Sequence, residues 1–162
     1  MAEIADRETP PESAEFRLMV DGASETVVVD MMAGLYREDP PQNPVDPENF
    51  RRTIRRFLDH PDSGQIFLFW TEDEIVGYAI VVPYWSNELG GTLAFVDELY
   101  VVPGARRRGI ASAFLNDIRE QRPFSAVAAM LEVSPDNVRA RQLYSALGFQ
   151  KRKNETMVLS LS

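Results

Sequence analysis

The sequence predicts one mixed α/β domain with the element order β-α-α-β-β-β-α-β-α-β-β. A chain of 162 residues has the length of a single domain. Residues 93–102 are rich in β-branched and aromatic side chains, as strands are, and Pro103 and Gly104 then interrupt the run. From Ile110 the apolar residues recur every four positions, which is helical spacing. A strand, a turn and a helix therefore follow one another at the centre of the chain.

The elements before this centre are predicted from the same kinds of pattern: short runs typical of strands and apolar residues at helical spacing. Residues 1–14 contain prolines, acidic residues and few apolar side chains, so they predict a mobile arm. Asp46 is a suitable N-cap for a helix that begins at Pro47. The elements predicted in this part are a strand over residues 16–20, helices over 24–36 and 47–58, and a hairpin of strands over 65–70 and 75–82.

The second half of the chain alternates strands and helices. Asn137 is a preferred N-cap residue and predicts the start of the last helix. The elements predicted here are a loop over residues 83–91, a strand over 92–102, a helix over 107–121, a strand over 126–133, a helix over 137–147 and final strands over 149–150 and 156–161.

Composition excludes several functional classes. The chain has no cysteine, which rules out disulfides, a cysteine nucleophile and a cysteine-based metal site, and its single histidine follows a predicted helix end. A net charge of −8 and a sequence pI near 4.7 are unfavourable for nucleic-acid binding and favour a cationic partner. No apolar run is long enough for a membrane span, and the N-terminus lacks the pattern of a signal peptide. We therefore expect a cytoplasmic protein that binds neither nucleic acid nor membrane.

The turn between the central strand and helix predicts an anion-binding site. The run Arg106-Arg107-Arg108-Gly109 precedes the helix, whose first backbone N–H groups lack intrahelical partners. The positive end of the helix dipole lies there too, so three arginines without an anion would be unfavourable. The alternatives are a solvated helix start and a glycine needed for packing. A phosphate ligand explains the charge better.

This turn resembles the R/Q-x-x-G-x-G/A signature of the GNAT superfamily of acyl-CoA-dependent N-acyltransferases, read here from Arg106 to Ala111. The run Glu98-Leu99-Tyr100-Val101-Val102-Pro103 precedes it, as in many members of that family. Residues 137–149 are similar to a second family signature, N-x-x-A-x-x-L-Y-x-x-x-G-F. The Walker and dinucleotide-binding glycine patterns are both absent. Two linked signatures in the right order identify the chain as a GNAT-like protein.

The resemblance implies a fold, a co-substrate and the residues that bind it. In the GNAT fold the two central strands splay apart, and acetyl-CoA lies in the opening with no metal required. Homodimers are common in the family. The expected co-substrate-binding residues come from the strand end, the arginine turn and the second signature: Val101, Val102, Arg106, Arg107, Arg108, Gly109, Ile110, Ala111, Ser112 and Asn137.

The resemblance also assigns the chemistry of acetyl transfer to a primary amine, either a small polyamine-like amine or an amino terminus. Tyr144 matches the tyrosine that protonates the leaving thiolate, and the backbone N–H of Val101 matches the oxyanion donor. The base is Asp97 or Glu98, which are adjacent on one strand and are expected to point to opposite faces. We favour Asp97, acting through water. The expected acceptor-binding residues lie in loops beside the cleft: Tyr36, Glu38, Trp85 and Glu88.

Two other functional classes compete with the enzyme. An acyl-CoA sensor or interaction module would keep the anion-binding turn and lack catalysis, although Tyr144 and Asp97 are both retained. Nucleotide phosphate transfer lacks a Walker lysine and an evident set of magnesium carboxylates. For each residue singled out there is also a structural alternative. Tyr144 fits a core face, Asn137 is explained by capping alone, and each carboxylate is explained by pairing with an arginine.

Overall fold

The computed structural model describes residues 14–41, 43–154, 156–159 and 161. These residues form two compact units, one up to Glu132 and the other from Val133 onward. The predicted arm over residues 1–14 lies almost entirely outside the described residues. The single domain expected over residues 15–162 stays a prediction.

The first unit contains a five-stranded mixed sheet in the order β1-β2-β3-β4-β5. Strands β1 to β4 pair antiparallel, and β5 pairs parallel to β4. The strands are β1 (Glu15–Leu18), β2 (Gln65–Thr71), β3 (Glu74–Ser86), β4 (Gly91–Val101) and β5 (Ala128–Leu131). The helices of this unit are α1 (Glu25–Glu38), α2 (Pro47–Asp59) and α3 (Ile110–Gln121). The second unit contains α4 (Val138–Ala146).

Apolar side chains cover both faces of the sheet. On one face, α1 and α2 bury Val28, Met32 and Ile54 against the central strands. On the other face, the Phe114 ring of α3 packs against the rings of Phe16, Phe67 and Phe69, with centroid separations of 4.7 to 5.5 Å. Aromatic pairs at these separations stabilise a core beyond the area that they bury. The sheet is therefore a rigid platform for the residues at the ends of its strands.

Local capping signals place two helices as predicted. The Asp46 carboxylate accepts a hydrogen bond of 2.9 Å from the backbone N–H of Glu48, and Pro47 occupies the first turn of α2. The Asn137 side chain accepts one of 3.1 Å from the backbone N–H of Ala140. Both N-cap predictions are confirmed, because capping depends only on residues a few positions apart.

Several boundaries differ from the predictions. Strand β1 ends at Leu18 rather than at residue 20, and β5 covers Ala128–Leu131 rather than residues 126–133. Helix α1 continues to Glu38, since no helix-breaking signal precedes Asp39, whose successor is Pro40. Helix α3 begins at Ile110 rather than at residue 107. Strand β3 continues to Ser86 through Pro83. The β2–β3 ladder ends at the pair Gln65–Val81, so Pro83 lies where β3 has a free edge, and a proline is tolerated there.

The prediction of two final strands is wrong: within the described part of residues 149–161 the backbone forms no strand. The side chains of Met157, Val158 and Leu159 are exposed. A strand exists only where a neighbouring chain segment supplies the hydrogen bonds of a ladder, and an apolar pattern does not supply that partner. The mixed α/β fold class itself is confirmed.

The β3–β4 contact leaves no room for a side chain at Gly77, which predicts a large effect of one methyl group. A Cβ atom at Gly77 would lie 2.4 Å from the Tyr100 carbonyl oxygen and 2.7 Å from the Phe69 ring. We expect Gly77→Ala to lower the free energy of unfolding by about 2 kcal/mol, because overpacking forces the two strands apart. Urea denaturation of Gly77→Ala and of Gly104→Ala measures this. The Gly104 position has open space and is the matched control. Equal stability of the two variants would contradict the prediction.

Candidate active site

The arginine turn has the backbone conformation of an anion-binding site. Arg107 and Gly109 adopt positive φ angles of 66° and 74°. Alternation of left-handed and ordinary residues turns successive N–H groups toward one concave side, which favours a bound anion. Gly109 is the N-cap of α3, and no side chain caps the helix there. The N–H groups that follow in the first turn of α3 therefore lack intrahelical acceptors.

The Arg106 side chain is held by three contacts in the first unit. Its Nε donates a hydrogen bond of 2.8 Å to the carbonyl oxygen of Val101. Its terminal nitrogen lies 2.8 Å from the carboxylate of Glu38, and its guanidinium lies 5.4 Å from the ring centroid of Tyr100. The arginine thus links the end of α1 to the end of β4.

Strand β4 has an open edge beside this turn. Its ladder with β5 ends at the pair Val96–Leu131, while β4 itself continues to Val101. The backbone N–H of Val102 donates to the carbonyl oxygen of Val76 on β3, so the N–H and carbonyl of Val101 face the opposite edge. The edge agrees with the predicted opening between the central strands. Val101 presents its N–H there, whereas that of Val102 is used by the sheet.

A β-bulge in β4 displaces Asp97. Glu98 pairs with Ile80 and Val96 pairs with Val81, which leaves Asp97 without a partner on β3. A bulge interrupts the alternation of side chains along a strand. The argument that placed Asp97 and Glu98 on opposite faces therefore fails here, and both carboxylates raise the pKa of the same residue, Tyr36.

Two tyrosines fix the Glu98 carboxylate. The hydroxyl of Tyr36 on α1 donates to Oε1 at 2.7 Å, and the hydroxyl of the fully buried Tyr78 on β3 donates to Oε2 at 2.7 Å. Burial raises the pKa of Glu98, and these two hydrogen bonds oppose that effect. Burial also raises the pKa values of both tyrosines, with further contributions from Glu98, so they remain hydrogen-bond donors. Glu98 is held in place as an acceptor.

Asp97 has the electrostatics of a base. Asp97 is exposed at the bulge, yet partial desolvation by its neighbours raises the pKa of its carboxyl, and the negative charge of Glu132 raises it further. A carboxylate with a raised pKa binds a proton more readily than an ordinary one, which is the property required of a general base near neutral pH.

Two predicted acceptor residues lie on α1 and not in a loop. Tyr36 and Glu38 occupy its last turn, where Tyr36 contacts Glu98 and Glu38 contacts Arg106 and Tyr100. Trp85 lies on β3 and is 66% exposed, and Glu88 lies at the tip of the β3–β4 hairpin. The structure brings the first pair to the charged end of β4. Trp85 pairs with Thr92 near the other end of the β3–β4 ladder.

The second unit contains Asn137 and Tyr144. Besides the Asn137 cap, the carbonyl oxygen of Tyr144 accepts a hydrogen bond from the backbone N–H of Phe149, and the two rings lie 5.9 Å apart. Burial raises the pKa of the Tyr144 hydroxyl, so it is protonated at neutral pH.

Sequence reasoning missed Tyr78 and the roles of Tyr100 and Glu38. Tyr78 and Tyr100 are direct partners in the β3–β4 ladder, and their rings lie 6.2 Å apart. The predicted hairpin boundaries placed residues 83–86 in a loop, which hid this register. Extending β3 through Pro83 would have paired Tyr78 with Leu99, and the bulge at Asp97 shifts that partner to Tyr100.

Two further observations concern ligands and membranes. Among the described residues, no group of three or more histidine, cysteine or carboxylate side chains has the arrangement of a metal site. None of the helices in the described ranges is long and apolar enough to cross a membrane.

The fold and the arginine turn define an α/β protein whose third helix starts in a conformation suited to an anion. The sequence profile of the acetyltransferase (GNAT) family matches residues 29–149, and the chain belongs to this family. The expected family, enzyme class and acyl-CoA co-substrate are thereby confirmed: the protein is a GNAT-type acyl-CoA N-acyltransferase. Comparison with curated proteins gives no match.

Solved structures share the fold. A possible acetyltransferase from Clostridium difficile 630 superposes with a TM-score of 0.78 at 18% identity, covering 92% of this chain and 98% of the other. An integron cassette protein from the Cole Harbour Salt Marsh metagenome gives 0.75 at 26% identity, covering 91% and 90%. A predicted acetyltransferase from Clostridium acetobutylicum, solved with acetyl-CoA, gives 0.73 at 17% identity, covering 92% and 97%.

The raised pKa of Asp97 predicts a pH-dependent stability. The folded state keeps the Asp97 proton at pH values where the unfolded chain, with an ordinary pKa of 3.8, has released it. The free energy of unfolding of the wild type therefore falls as the pH rises from about that value through the raised pKa. Asp97→Asn lacks this loss, so its stability relative to the wild type should increase over that window. Denaturation between pH 4 and pH 8 measures it. Asp73→Asn in the β2–β3 turn is the control, and a pH-independent difference for Asp97→Asn would contradict the assignment.

Proposed function

We propose that this enzyme transfers the acetyl group of acetyl-CoA to a cationic primary amine by direct attack, without a covalent enzyme intermediate. The observation that carries the proposal is the arginine turn at the start of α3, next to the open edge of β4. That combination offers N–H groups and positive charge to phosphates, and the backbone N–H of Val101 faces away from β3, where no described strand pairs with it.

The residues that would hold the co-substrate lie in the first unit. The N–H groups of the turn and of Ile110, Ala111 and Ser112 suit a pyrophosphate, and Arg107 and Arg108 add positive charge. Bound acetyl-CoA supplies an activated acetyl group. The Val101 N–H suits the thioester carbonyl oxygen, where negative charge develops during transfer. Asn137 in the second unit is a further candidate, proposed from the family signature.

The proton balance assigns two roles. An alkyl ammonium with a pKa of about 10.4 must lose a proton before its nitrogen can attack. Asp97 accepts that proton through water, because its pKa is raised and Glu98 is already held by Tyr36 and Tyr78. As the carbon–sulfur bond breaks, the departing sulfur takes a proton from an acid, for which we propose Tyr144 by its match to the family signature.

The acceptor class follows from charge. Asp97, Glu98 and Glu38 all lie at the end of β4 or of α1, and the whole chain carries a net charge of −8. This field favours a cationic acceptor over a neutral or anionic one. An aminoglycoside N-acetyltransferase solved with CoA has the same fold, with a TM-score of 0.69 at 17% identity.

The decisive experiment is a calorimetric titration with acetyl-CoA, made on the wild type, Gly109→Glu and Gly104→Glu. We expect micromolar binding by the wild type and none by Gly109→Glu, which places a carboxylate in the anion site. Gly104→Glu introduces the same charge five residues earlier, into open space, and should retain most of the affinity. Thermal melting shows that each variant is folded. Absence of binding by the folded wild type would overturn the proposed function.

An assay of acetylated product against a panel of primary amines then separates an enzyme from a sensor. Product with any cationic amine supports the proposal. Tight acetyl-CoA binding without product for any amine would leave a sensor with the same fold.

Removal of the Tyr144 hydroxyl tests the acid. Tyr144→Phe should lower kcat by about 10²-fold or more and leave the Kd for acetyl-CoA within a factor of about two, because the hydroxyl acts on the departing sulfur. Steady-state kinetics and calorimetry give the two numbers. Tyr84→Phe, an exposed tyrosine on β3, is the matched control. An unchanged kcat for Tyr144→Phe would exclude it as the acid.

A further inference from the structure

Glu38 is shared between two groups at the end of β4. Its carboxylate lies 2.8 Å from the terminal nitrogen of Arg106 and accepts a hydrogen bond of 3.3 Å from the Tyr100 hydroxyl. The two side chains of the ion pair are 38% and 45% exposed, so solvent reaches both. Ion pairs this exposed are weak enough to exchange partners.

Arg106 is also the first residue of the arginine turn. In the structure its charge is directed at Glu38 and its Nε is used by the Val101 carbonyl oxygen. The Glu38 carboxylate therefore neutralises one of the three guanidinium groups of the turn. Because of this pairing, a pyrophosphate at the turn meets less positive charge than three unpaired arginines would offer. It also competes with Glu38 for Arg106.

The same carboxylate lies beside the acceptor-side residues. Tyr36, two residues before Glu38 on α1, donates to Glu98, and Tyr100, two residues after Glu98 on β4, donates to Glu38. Residues two apart along a strand share a face and lie about 7 Å apart. The carboxylates of Glu98 and Glu38 thus form a row along one face of β4. Glu98 is bound by two tyrosines, whereas Glu38 is paired with Arg106, which also belongs to the turn proposed to bind phosphates.

We propose that Glu38 is a specificity-determining residue that competes with the phosphates of the co-substrate for Arg106 and, once Arg106 turns to them, binds the cationic acceptor. This inference rests on the proposed function. Its consequence is an order of binding. Acetyl-CoA binds first and draws Arg106 away, and the Glu38 carboxylate is available to the acceptor only afterwards. The two ligands are then positively coupled, and the coupling is reciprocal.

The test is a calorimetric titration of CoA into the wild type and Glu38→Gln at low and at high salt. Competition predicts that Glu38→Gln binds CoA about threefold more tightly at low salt, with a smaller gain at high salt because the charges are screened. Glu48→Gln is the matched control. Glu48 on α2 forms an ion pair with Arg55, with an N–O distance of 3.4 Å, and neither residue belongs to the arginine turn. Unchanged or weaker binding of CoA by folded Glu38→Gln would overturn the proposal.

A double-mutant cycle separates competition for Arg106 from simple charge repulsion. In an Arg106→Gln background, Glu38→Gln should give no further gain, because the residue for which Glu38 competes is absent. A gain that persists in this background would show that Glu38 acts on the phosphates by its charge alone, and the proposal would be wrong.

The acceptor side has its own kinetic signature. With an amine that the wild type acetylates, Glu38→Gln should raise the KM for that amine several-fold and leave kcat nearly unchanged, since Glu38 binds the acceptor without transferring a proton. An unchanged KM would overturn the acceptor role. Failure of the proposed function is distinguishable, because in that case the wild type itself would bind no CoA or acetylate no amine.

Discussion

The one-sided pairing of β4 is the constraint on which the site depends. β3 holds β4 along nearly its whole length, from Gly91 to Val101, whereas β5 holds it only as far as Val96. Beyond that point no strand in the described residues pairs with one edge of β4, while β3 still pairs with the other edge. The Val101 N–H, the bulge at Asp97 and the turn that begins at Arg106 all belong to this half-supported segment. A fully paired strand would leave no backbone group available there.

Burial of the Glu98 carboxylate beneath α1 is the second organising contact. A buried carboxylate is destabilising unless its oxygens are hydrogen-bonded, and the hydroxyls of Tyr36 and Tyr78 satisfy one oxygen each. The contact fixes the last turn of α1 against β4, and Glu38 reaches Arg106 from that same turn. The acceptor-side helix and the phosphate-side turn are thus joined through a few polar contacts in an otherwise apolar interface. Glu98 contributes position, in keeping with our proposal that Asp97 accepts the proton.

Prediction from sequence succeeded where the physics is local. The cap at Asn137, Pro47 at the start of α2 and the change of period at Ile110 each depend on residues a few positions apart. It failed where a distant partner decides the outcome. Pro83 continues a strand because β2 has already ended, and the bulge at Asp97 depends on register with β3. The described residues after Gly148 form no strand, because no neighbouring segment pairs with them. The arginine turn was found from its signature, but its contact with Glu38, 68 positions away, has no signal in the sequence.

The positive φ angle of Arg107 has a consequence for how the turn meets a ligand. An arginine at a φ of 66° is in a region that side chains with a Cβ atom disfavour, so the chain accepts a strained residue within its folded state. The strained residue is part of the backbone that the β4–α3 connection shapes. A turn already shaped in this way loses little conformational entropy when an anion binds, and its association rate is not limited by a search for the right backbone shape. In the function that we propose, adaptation to the ligand then falls to the arginine side chains.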